Sequence, residues 1–252
     1  MLHQSITNER QNVLSYPVDL VDQEKAIHLI EQAWNHGQGM HVITINAEMI
    51  ITAQNNSHLD RIIRRSDLVI ADGAGVILAL KLNGHHINRL PGIELAQYVL
   101  AQAATKSIPV SLIGGTTDTL NILYRTLPET YPGLKLVACH DGYFETQKEE
   151  SIIKGISASG AALVLVAMGI PRQEYFIEHA RKESNAVFIG IGGSFDIWSG
   201  AKNRAPAVLR NCHLEWLYRL ICEPWRFQRM SAALPNFAWQ IMVEFLKQRI
   251  SQ

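Results

Sequence analysis

Short apolar runs alternate with helical patterns along most of the chain. Six runs of four to six residues are rich in β-branched and aliphatic side chains, and glycine or polar residues and then a helix-like spacing follow each run. The predicted strands are His41–Asn46, Asp67–Ala71, Val110–Ile113, Leu134–Cys139, Leu163–Met168 and Val187–Ile191. This alternation indicates an α/β fold, with a Rossmann-like, mainly parallel sheet that has helices on both faces.

Helices are predicted between these strands from the spacing of apolar residues and from start signals. Asp22 is a favoured N-cap directly before the first helical pattern. The predicted helices are Gln23–Asn35, Glu94–Ala104, Thr117–Leu127, Glu149–Ile156 and Gln173–Arg181.

The pattern changes after Gly200. Pro206, Pro224 and Pro235 interrupt helical stretches that have no strand between them. We therefore predict two units, an α/β domain over residues 1–199 and a helical appendage over residues 200–252.

Composition is that of a folded protein. Hydrophobic residues make up 47% of the 252 residues and charged residues 18%. No apolar run approaches the roughly 18 residues of a transmembrane helix, and Met1–Asn12 lacks the layout of a signal peptide. We expect the protein to stay in the cytoplasm.

Charge is spread unevenly although the formal net charge is zero. From Gly200 onward eight Lys or Arg residues stand against three acids, so the tail carries +5 and the body −5. Four of the five tryptophans lie at or beyond the border of this tail, namely Trp198, Trp216, Trp225 and Trp239. A basic, aromatic tail favours peripheral attachment to the inner face of the cell membrane, and no nucleic-acid partner is expected.

Metal and disulfide chemistry find little support. The three cysteines lack a Cys-x-x-Cys spacing and have an odd total, so we expect ordinary buried thiols. His85-His86 and His140-Asp141 have no third ligand at a fixed spacing, and no D-x-D pair is present to hold a donor-bound metal. Neither a metal nor another cofactor is expected.

Candidate binding residues follow the predicted strands, because ligands of an open parallel sheet bind beyond the carboxyl ends of its strands. Glycines there allow close backbone approach, and helix N-termini can hold phosphate oxygens. A nucleotide diphosphate is the natural occupant. The candidates are Thr44, Asn46, Asp72, Gly114, Gly115, Asp141, Gly169, Gln173, Glu174, Gly192 and Gly193.

The main alternative to a nucleotide-diphosphate site is a dinucleotide site, and the glycine fingerprint of such sites tests this alternative. Gly73-x-Gly75 continues to Leu78 where a third small residue is required, and Gly190-x-Gly192 continues to Phe195. Both fail, and no G-x-x-x-x-G-K-[ST] phosphate loop is present. An oxidoreductase and a nucleotide hydrolase are therefore disfavoured.

Eight ordered motifs carry a resemblance to a known family. They are Thr44-Ile45-Asn46-Ala47-Glu48, Asp67-Leu68-Val69-Ile70-Ala71-Asp72-Gly73, Arg89-Leu90-Pro91-Gly92, Asp141-Gly142-Tyr143-Phe144, Gly169-Ile170-Pro171-Arg172-Gln173-Glu174, Gly192-Gly193-Ser194-Phe195-Asp196, Arg204-Ala205-Pro206 and Leu214-Glu215-Trp216-Leu217-Tyr218-Arg219-Leu220. Together they resemble the WecG/TagA/CpsF glycosyltransferases, in order from about Val18 to about Arg229.

The resemblance implies an inverting, metal-independent transferase. Its members add N-acetylmannosamine or N-acetylmannosaminuronic acid, from a UDP-sugar donor, to undecaprenyl-diphosphate-linked N-acetylglucosamine in teichoic acid or enterobacterial common antigen synthesis. Many members have T-x-N-P where this chain has Asn46-Ala47-Glu48, which is closer to the common-antigen branch. The donor sugar and the oligomeric state stay open, with a homo-oligomer as one option.

Residue roles are implied in the same way. Asp72 matches the proposed general base, Thr44 and Asn46 line the same pocket, and Arg89 and Gln173 fall on pocket positions. A C-terminal appendage would dock on the membrane and bring arginines to the site, here Arg219, Arg226 and Arg229.

Each of these residues also has a simpler structural interpretation. Asp72 could cap the helix that begins near Ala74, and Thr44 and Asn46 could be hydrogen-bonding residues at a strand end. Arg89 could pair with a surface acid, and Gln173 could be solvated in a first helical turn. For the whole chain, the alternative function is a binding module for a nucleotide sugar or a lipid without turnover.

Overall fold

Six parallel strands form the central sheet, and a two-stranded antiparallel hairpin precedes them. The structure is a computed structural model that describes residues 9–250, without the side chains of Arg226, Arg229 and Gln248. The hairpin consists of β1 (Arg10–Val13) and β2 (Tyr16–Asp19), and the sheet of β3 (Met40–Ile45), β4 (Leu68–Ala71), β5 (Pro109–Gly114), β6 (Lys135–His140), β7 (Leu163–Ala167) and β8 (Val187–Gly190). All six predicted strands are confirmed to within one residue at each end.

Helices cover both faces of this sheet, as predicted. They are α1 (Gln23–Asn35), α2 (Ala47–Gln54), α3 (Ser57–Arg65), α4 (Ala74–Leu82), α5 (Gly92–Thr105), α6 (Thr117–Thr130), α7 (Thr146–Ala158), α8 (Arg172–Ala180), α9 (Ser194–Trp198), α10 (Ala207–Asn211), α11 (Glu215–Cys222) and α12 (Phe227–Ile250), with a 3₁₀ turn at Pro224–Arg226. Alternate strand residues face opposite layers. Val42 belongs to an apolar cluster that includes residues of α1, α5 and α6, whereas its neighbour Ile43 belongs to a cluster that includes residues of α2, α3, α4 and α12.

The strand order β4-β3-β8-β7-β5-β6 creates a place where ligands can enter. From β5 the chain crosses through α6 to β6 on one side, and from the neighbouring β7 it crosses through α8 to β8 on the other side. The connections from β3 and β8 likewise lead away from each other. Loops that diverge in this way leave crevices beyond the carboxyl ends of the strands.

Five predicted helices are confirmed, and the predicted start signal of the first one works as expected. The Asp22 carboxylate accepts a hydrogen bond from the Lys25 backbone N–H at 2.8 Å and so caps α1. The β1–β2 hairpin and helices α2 and α3 were not predicted. The hairpin is held by Asp19, which binds the Arg10 guanidinium at 2.7 Å and the Val69 backbone N–H at 2.7 Å.

The residues beyond 200 form helices without a strand, as predicted, but they share a core with the body. Ala233, Phe237 and Ile241 on one face of α12 are buried in the same apolar cluster as α2 and α4. The predicted boundary at residues 199 and 200 falls in the loop between α9 and α10.

A second face of α12 is apolar and exposed. Trp239, Met242, Leu246 and Ile250 recur at helical spacing on this face, which we call the exposed stripe. Within residues 9–250, no helix combines the length and the hydropathy that a membrane span requires.

The cysteines correct one expectation. Cys139, Cys212 and Cys222 are free thiols, but all three are exposed instead of buried. Cys139 lies on β6, an edge strand whose residues are exposed or partly exposed throughout, and the other two lie at helix ends. Apolar neighbours in sequence did not reveal these edge positions.

Candidate active site

A cavity of about 820 Å³ opens beyond the carboxyl ends of β3, β4 and β8 and is closed on one side by α11 and α12. It brings together nine of the predicted site residues from six separate motifs. These are Thr44, Asn46, Asp72, Arg89, Gly169, Gln173, Gly192, Gly193 and Arg219. The side chains of Arg226 and Arg229, which were also predicted here, lie outside the described residues.

Asp72 directly follows β4 and points into this cavity. Its carboxylate does not cap α4, because the N-cap is Gly73 and no side chain binds the first turn. Instead Oδ1 lies 3.3 Å from Nη2 of Arg89, whose Nε donates to the Asp72 backbone carbonyl. A quarter of the Asp72 side chain, 25%, stays exposed to the cavity. The site therefore holds a carboxylate that a ligand can reach.

Burial raises the pKa of Asp72 above the usual aspartate value, although the positive charges of Arg89 and Arg219 act in the opposite direction. A carboxylate with a raised pKa is a stronger base than an exposed one. The electrostatics thus suit a group that accepts a proton.

Glu215 is a member of this site that sequence reasoning missed. It is the first residue of α11, is buried, and lies 3.0 Å from Arg89 Nη2 and 2.9 Å from Arg219 Nη2. Although burial acts to raise it, the pKa of Glu215 is held below its usual value by Arg219 and Arg89. Two carboxylates and two guanidiniums therefore form one network between the body and the appendage.

The simpler interpretation of Arg89, as the partner of a surface acid, is wrong because its partners Asp72 and Glu215 lie inside the cavity. The signal for Glu215 was its place in the Leu214-Glu215-Trp216 motif. Its contact with Arg89 spans 126 residues, a separation at which local pattern carries no information.

Thr44 and Asn46 line the cavity and also hold its floor together. The Thr44 hydroxyl donates to the Gly190 carbonyl at 3.0 Å, which links β3 to β8. The Asn46 side-chain oxygen accepts from the Met49 N–H at 3.0 Å and caps α2. Both residues thus make the structural hydrogen bonds that the simpler interpretation expected, and both also line the cavity wall.

Two motif glycines allow the loops of the site to approach each other. A Cβ on Gly73 would lie 2.8 Å from the Asn46 Cβ, and a Cβ on Gly92 would lie 2.9 Å from the Thr44 hydroxyl. Both distances are too short for real contacts, so these positions require glycine for steric reasons.

Gln173 and Glu174 are neighbours on α8 but face different surroundings. Gln173 reaches the cavity, where its Oε1 accepts from the Gly192 N–H at 3.1 Å and its Nε2 donates to Glu174 at 2.9 Å. Glu174 is fully buried, does not line the cavity, and is hydrogen-bonded to His41 at 2.7 Å. It therefore supports Gln173 from below, and Gln173 in turn fixes the loop after β8.

This network predicts a specific cost for Gly190→Ala. A Cβ at Gly190 would lie 2.6 Å from Gln173 Nε2 and 2.8 Å from Glu174 Oε1. We expect destabilisation of about 1–3 kcal/mol from displacing buried polar groups, measured by urea unfolding. Gly193→Ala is the matched control, because a Cβ there meets nothing within 4 Å. Equal midpoints for the two variants would contradict this account.

Gly114, Gly115 and Asp141 lie outside the large cavity. A Cβ on Gly114 would lie 2.2 Å from the Ala167 carbonyl, so this glycine allows the ends of β5 and β7 to pack together. Asp141 accepts a hydrogen bond from the Tyr143 N–H at 3.0 Å and borders a smaller cavity of about 190 Å³. These three residues thus lie at the carboxyl ends of β5 and β6, outside the wall of the large cavity.

Metal ligands are not grouped in residues 9–250, where no set of three His, Cys, Asp or Glu side chains is arranged to hold a metal ion. His140, one of the histidines considered above, binds the Asp141 backbone carbonyl at 2.9 Å.

The fold and the site together define an α/β protein with its ligand cavity at the carboxyl edge of a parallel sheet. The sequence model of the glycosyl transferase WecG/TagA/CpsF family matches residues 11–251. Since this match spans nearly the whole chain, the protein belongs to that family and is a glycosyltransferase of cell-surface polysaccharide synthesis.

Proposed function

We propose that the protein transfers an N-acetylmannosamine-type sugar from a UDP-sugar to undecaprenyl-diphosphate-linked N-acetylglucosamine, with inversion and without a metal. The observation that carries this proposal is the network in one cavity of a reachable carboxylate, Asp72, with two guanidiniums, Arg89 and Arg219. A base and cationic groups are the parts that a metal-free displacement at an anomeric carbon requires.

In the proposed reaction an acceptor hydroxyl oxygen forms a bond to the anomeric carbon while the bond from that carbon to the UDP oxygen breaks. Asp72 accepts the hydroxyl proton, and UDP departs with the electron pair. Attack from the face opposite UDP inverts the configuration. The raised pKa of Asp72 supports this role, because proton transfer then becomes more favourable as the new bond forms.

Charge on the departing diphosphate is offset by the guanidiniums. Arg89 and Arg219 already lie on the cavity wall, and Gly169, Gly192 and Gly193 let the phosphates approach the backbone closely. Arg226 and Arg229 remain proposed contributors through their place on the appendage.

The appendage is the proposed contact with the inner face of the cell membrane. Ten of the seventeen large apolar side chains that are exposed among the described residues lie beyond residue 200, including the exposed stripe of α12. Charge supports this contact less than the sequence suggested, because four tail cations are paired with carboxylates, namely Lys202, Arg204, Arg210 and Arg219. Apolar anchoring by Trp225 and Trp239 is therefore the main contribution to the free energy of membrane binding.

Release of UDP tests the proposal. Purified protein given a UDP-N-acetylmannosamine-type donor and the lipid acceptor together should release UDP, and mass spectrometry should show the acceptor lengthened by one sugar. The same rate should be measured in EDTA. Binding of both ligands without release would favour the binding module, and activity that collapses in EDTA and returns with Mg²⁺ would contradict the metal-free mechanism.

A further inference from the structure

The large cavity has two chemically different ends. Among the described side chains of its wall, the charged ones are Glu48, Asp72, Arg89, Glu215 and Arg219, and none of these belongs to α4 or α12. The side chains of α4 and α12 that the structure describes on this wall are all apolar. We call this second end the apolar arm. Its principal side chains are Leu78 and Leu82 of α4 and Leu234, Phe237, Met242 and Phe245 of α12.

The apolar arm begins at a contact between its two helices and ends at the protein surface. A Cβ on Gly75 would lie 3.1 Å from the Phe237 ring, so α4 and α12 touch there. Farther along, Leu78 and Met242 are each 56% exposed. Met242 belongs both to the cavity wall and to the exposed stripe, and the arm therefore opens at the proposed membrane face.

We propose that the apolar arm binds the first isoprenoid units of the lipid acceptor, while the sugar attached through their diphosphate extends toward Asp72 at the charged end of the cavity. This inference rests on the proposed function for the identity of the lipid. An occupant that fits both ends of the cavity must carry a polar head joined to an apolar chain. An isoprenoid diphosphate has this arrangement, and the opening at Met242 lets the rest of its chain remain in the bilayer.

Binding of farnesyl diphosphate and of inorganic diphosphate to the full-length protein tests this inference without any sugar transfer. By titration calorimetry we expect farnesyl diphosphate to bind at least about 10-fold more tightly than inorganic diphosphate, because the arm removes the farnesyl chain from water. Monoacyl phosphatidylglycerol should bind more weakly than farnesyl diphosphate. Equal affinity of farnesyl and inorganic diphosphate, or of the two lipids, would overturn the assignment.

A matched pair of variants tests where the isoprenoid chain of the ligand lies. Ala238→Trp narrows the arm from α12 and should remove most of the difference in affinity between farnesyl diphosphate and inorganic diphosphate. Ala232→Trp makes the same change at an exposed position of α12 outside the cavity wall and should keep this difference. Leu78→Gln, on the opposite wall, should reduce the same difference in affinity without filling the arm. Identical affinities for the two tryptophan variants, both with native thermal melts, would contradict the inference.

The two proposals fail separately. Normal sugar transfer without an isoprenoid preference would reject the apolar arm and leave the proposed function intact. An isoprenoid preference that Ala238→Trp removes, in a protein that transfers no sugar, would reject the proposed function and leave the arm.

Discussion

Asp72→Asn is expected to lower the rate of sugar transfer by about 100-fold or more, with UDP affinity close to that of the wild type. The substitution keeps the shape of the side chain but removes the base, and the backbone carbonyl of Asp72 remains to accept from Arg89. Single-turnover transfer and UDP titration measure the two quantities. Asp60→Asn is the control, because this carboxylate pairs with Arg64 on α3 away from the cavity. Turnover at the wild-type rate would reject Asp72 as the base.

The pH dependence of the wild-type enzyme gives an independent check on the same residue. A base is lost by protonation as the pH falls through its pKa, and burial raises the pKa of Asp72 above the ordinary aspartate value of about 4. We therefore expect the acid limb of kcat/KM to lie above that value, and we expect Asp72→Asn to lack this limb. An acid limb that is unchanged in the variant would assign the titration to another group.

Arg219→Gln is expected to lower kcat by about 100-fold, because a guanidinium at the departing diphosphate acts mainly in the transition state. The change also leaves Glu215 with Arg89 as its remaining guanidinium partner in the described network. Arg210→Gln is the matched control, since Arg210 lies on α10 outside the cavity and approaches Glu94 only at 3.7 Å. If both variants turn over equally, the appendage does not supply catalytic charge.

A point substitution is a sharper test here than removal of residues 201–252. Truncation would uncover the apolar surface of α2 and α4 that Ala233, Phe237 and Ile241 cover. Loss of activity in the truncated chain would then report lost folding as well as lost arginines, whereas Arg219→Gln leaves this packing in place.

The sheet could be predicted from sequence because its inner strands are buried on both faces. Strands such as β7, Leu163–Ala167, are apolar at every position, and this produces a clear signal. The β1–β2 hairpin has only four residues in each strand and depends on Asp19 contacts with Arg10 and Val69, which lie far apart in the chain. Short elements held by long-range contacts leave little trace in local pattern.

The site could be predicted in part for a similar reason. Residues that end strands, such as Asp72 and Asn46, were located correctly because parallel topology brings strand ends together. Gln173 and Glu174 could not be separated, since adjacent helical residues point in directions about 100° apart and sequence does not say which one faces the ligand. Glu215 was missed because its role depends on how α11 meets the segment between α4 and α5 that carries Arg89.

The exposed stripe of α12 has a consequence for how the protein behaves away from lipid. Trp239, Met242, Leu246 and Ile250 can be covered by a bilayer or by the same stripe of a second copy, but not by both at once. We therefore expect self-association through this stripe to compete with the proposed membrane docking, and mass action favours the first in concentrated solution and the second when vesicles are abundant. A dimer formed through this stripe without lipid should accordingly dissociate when vesicles are added.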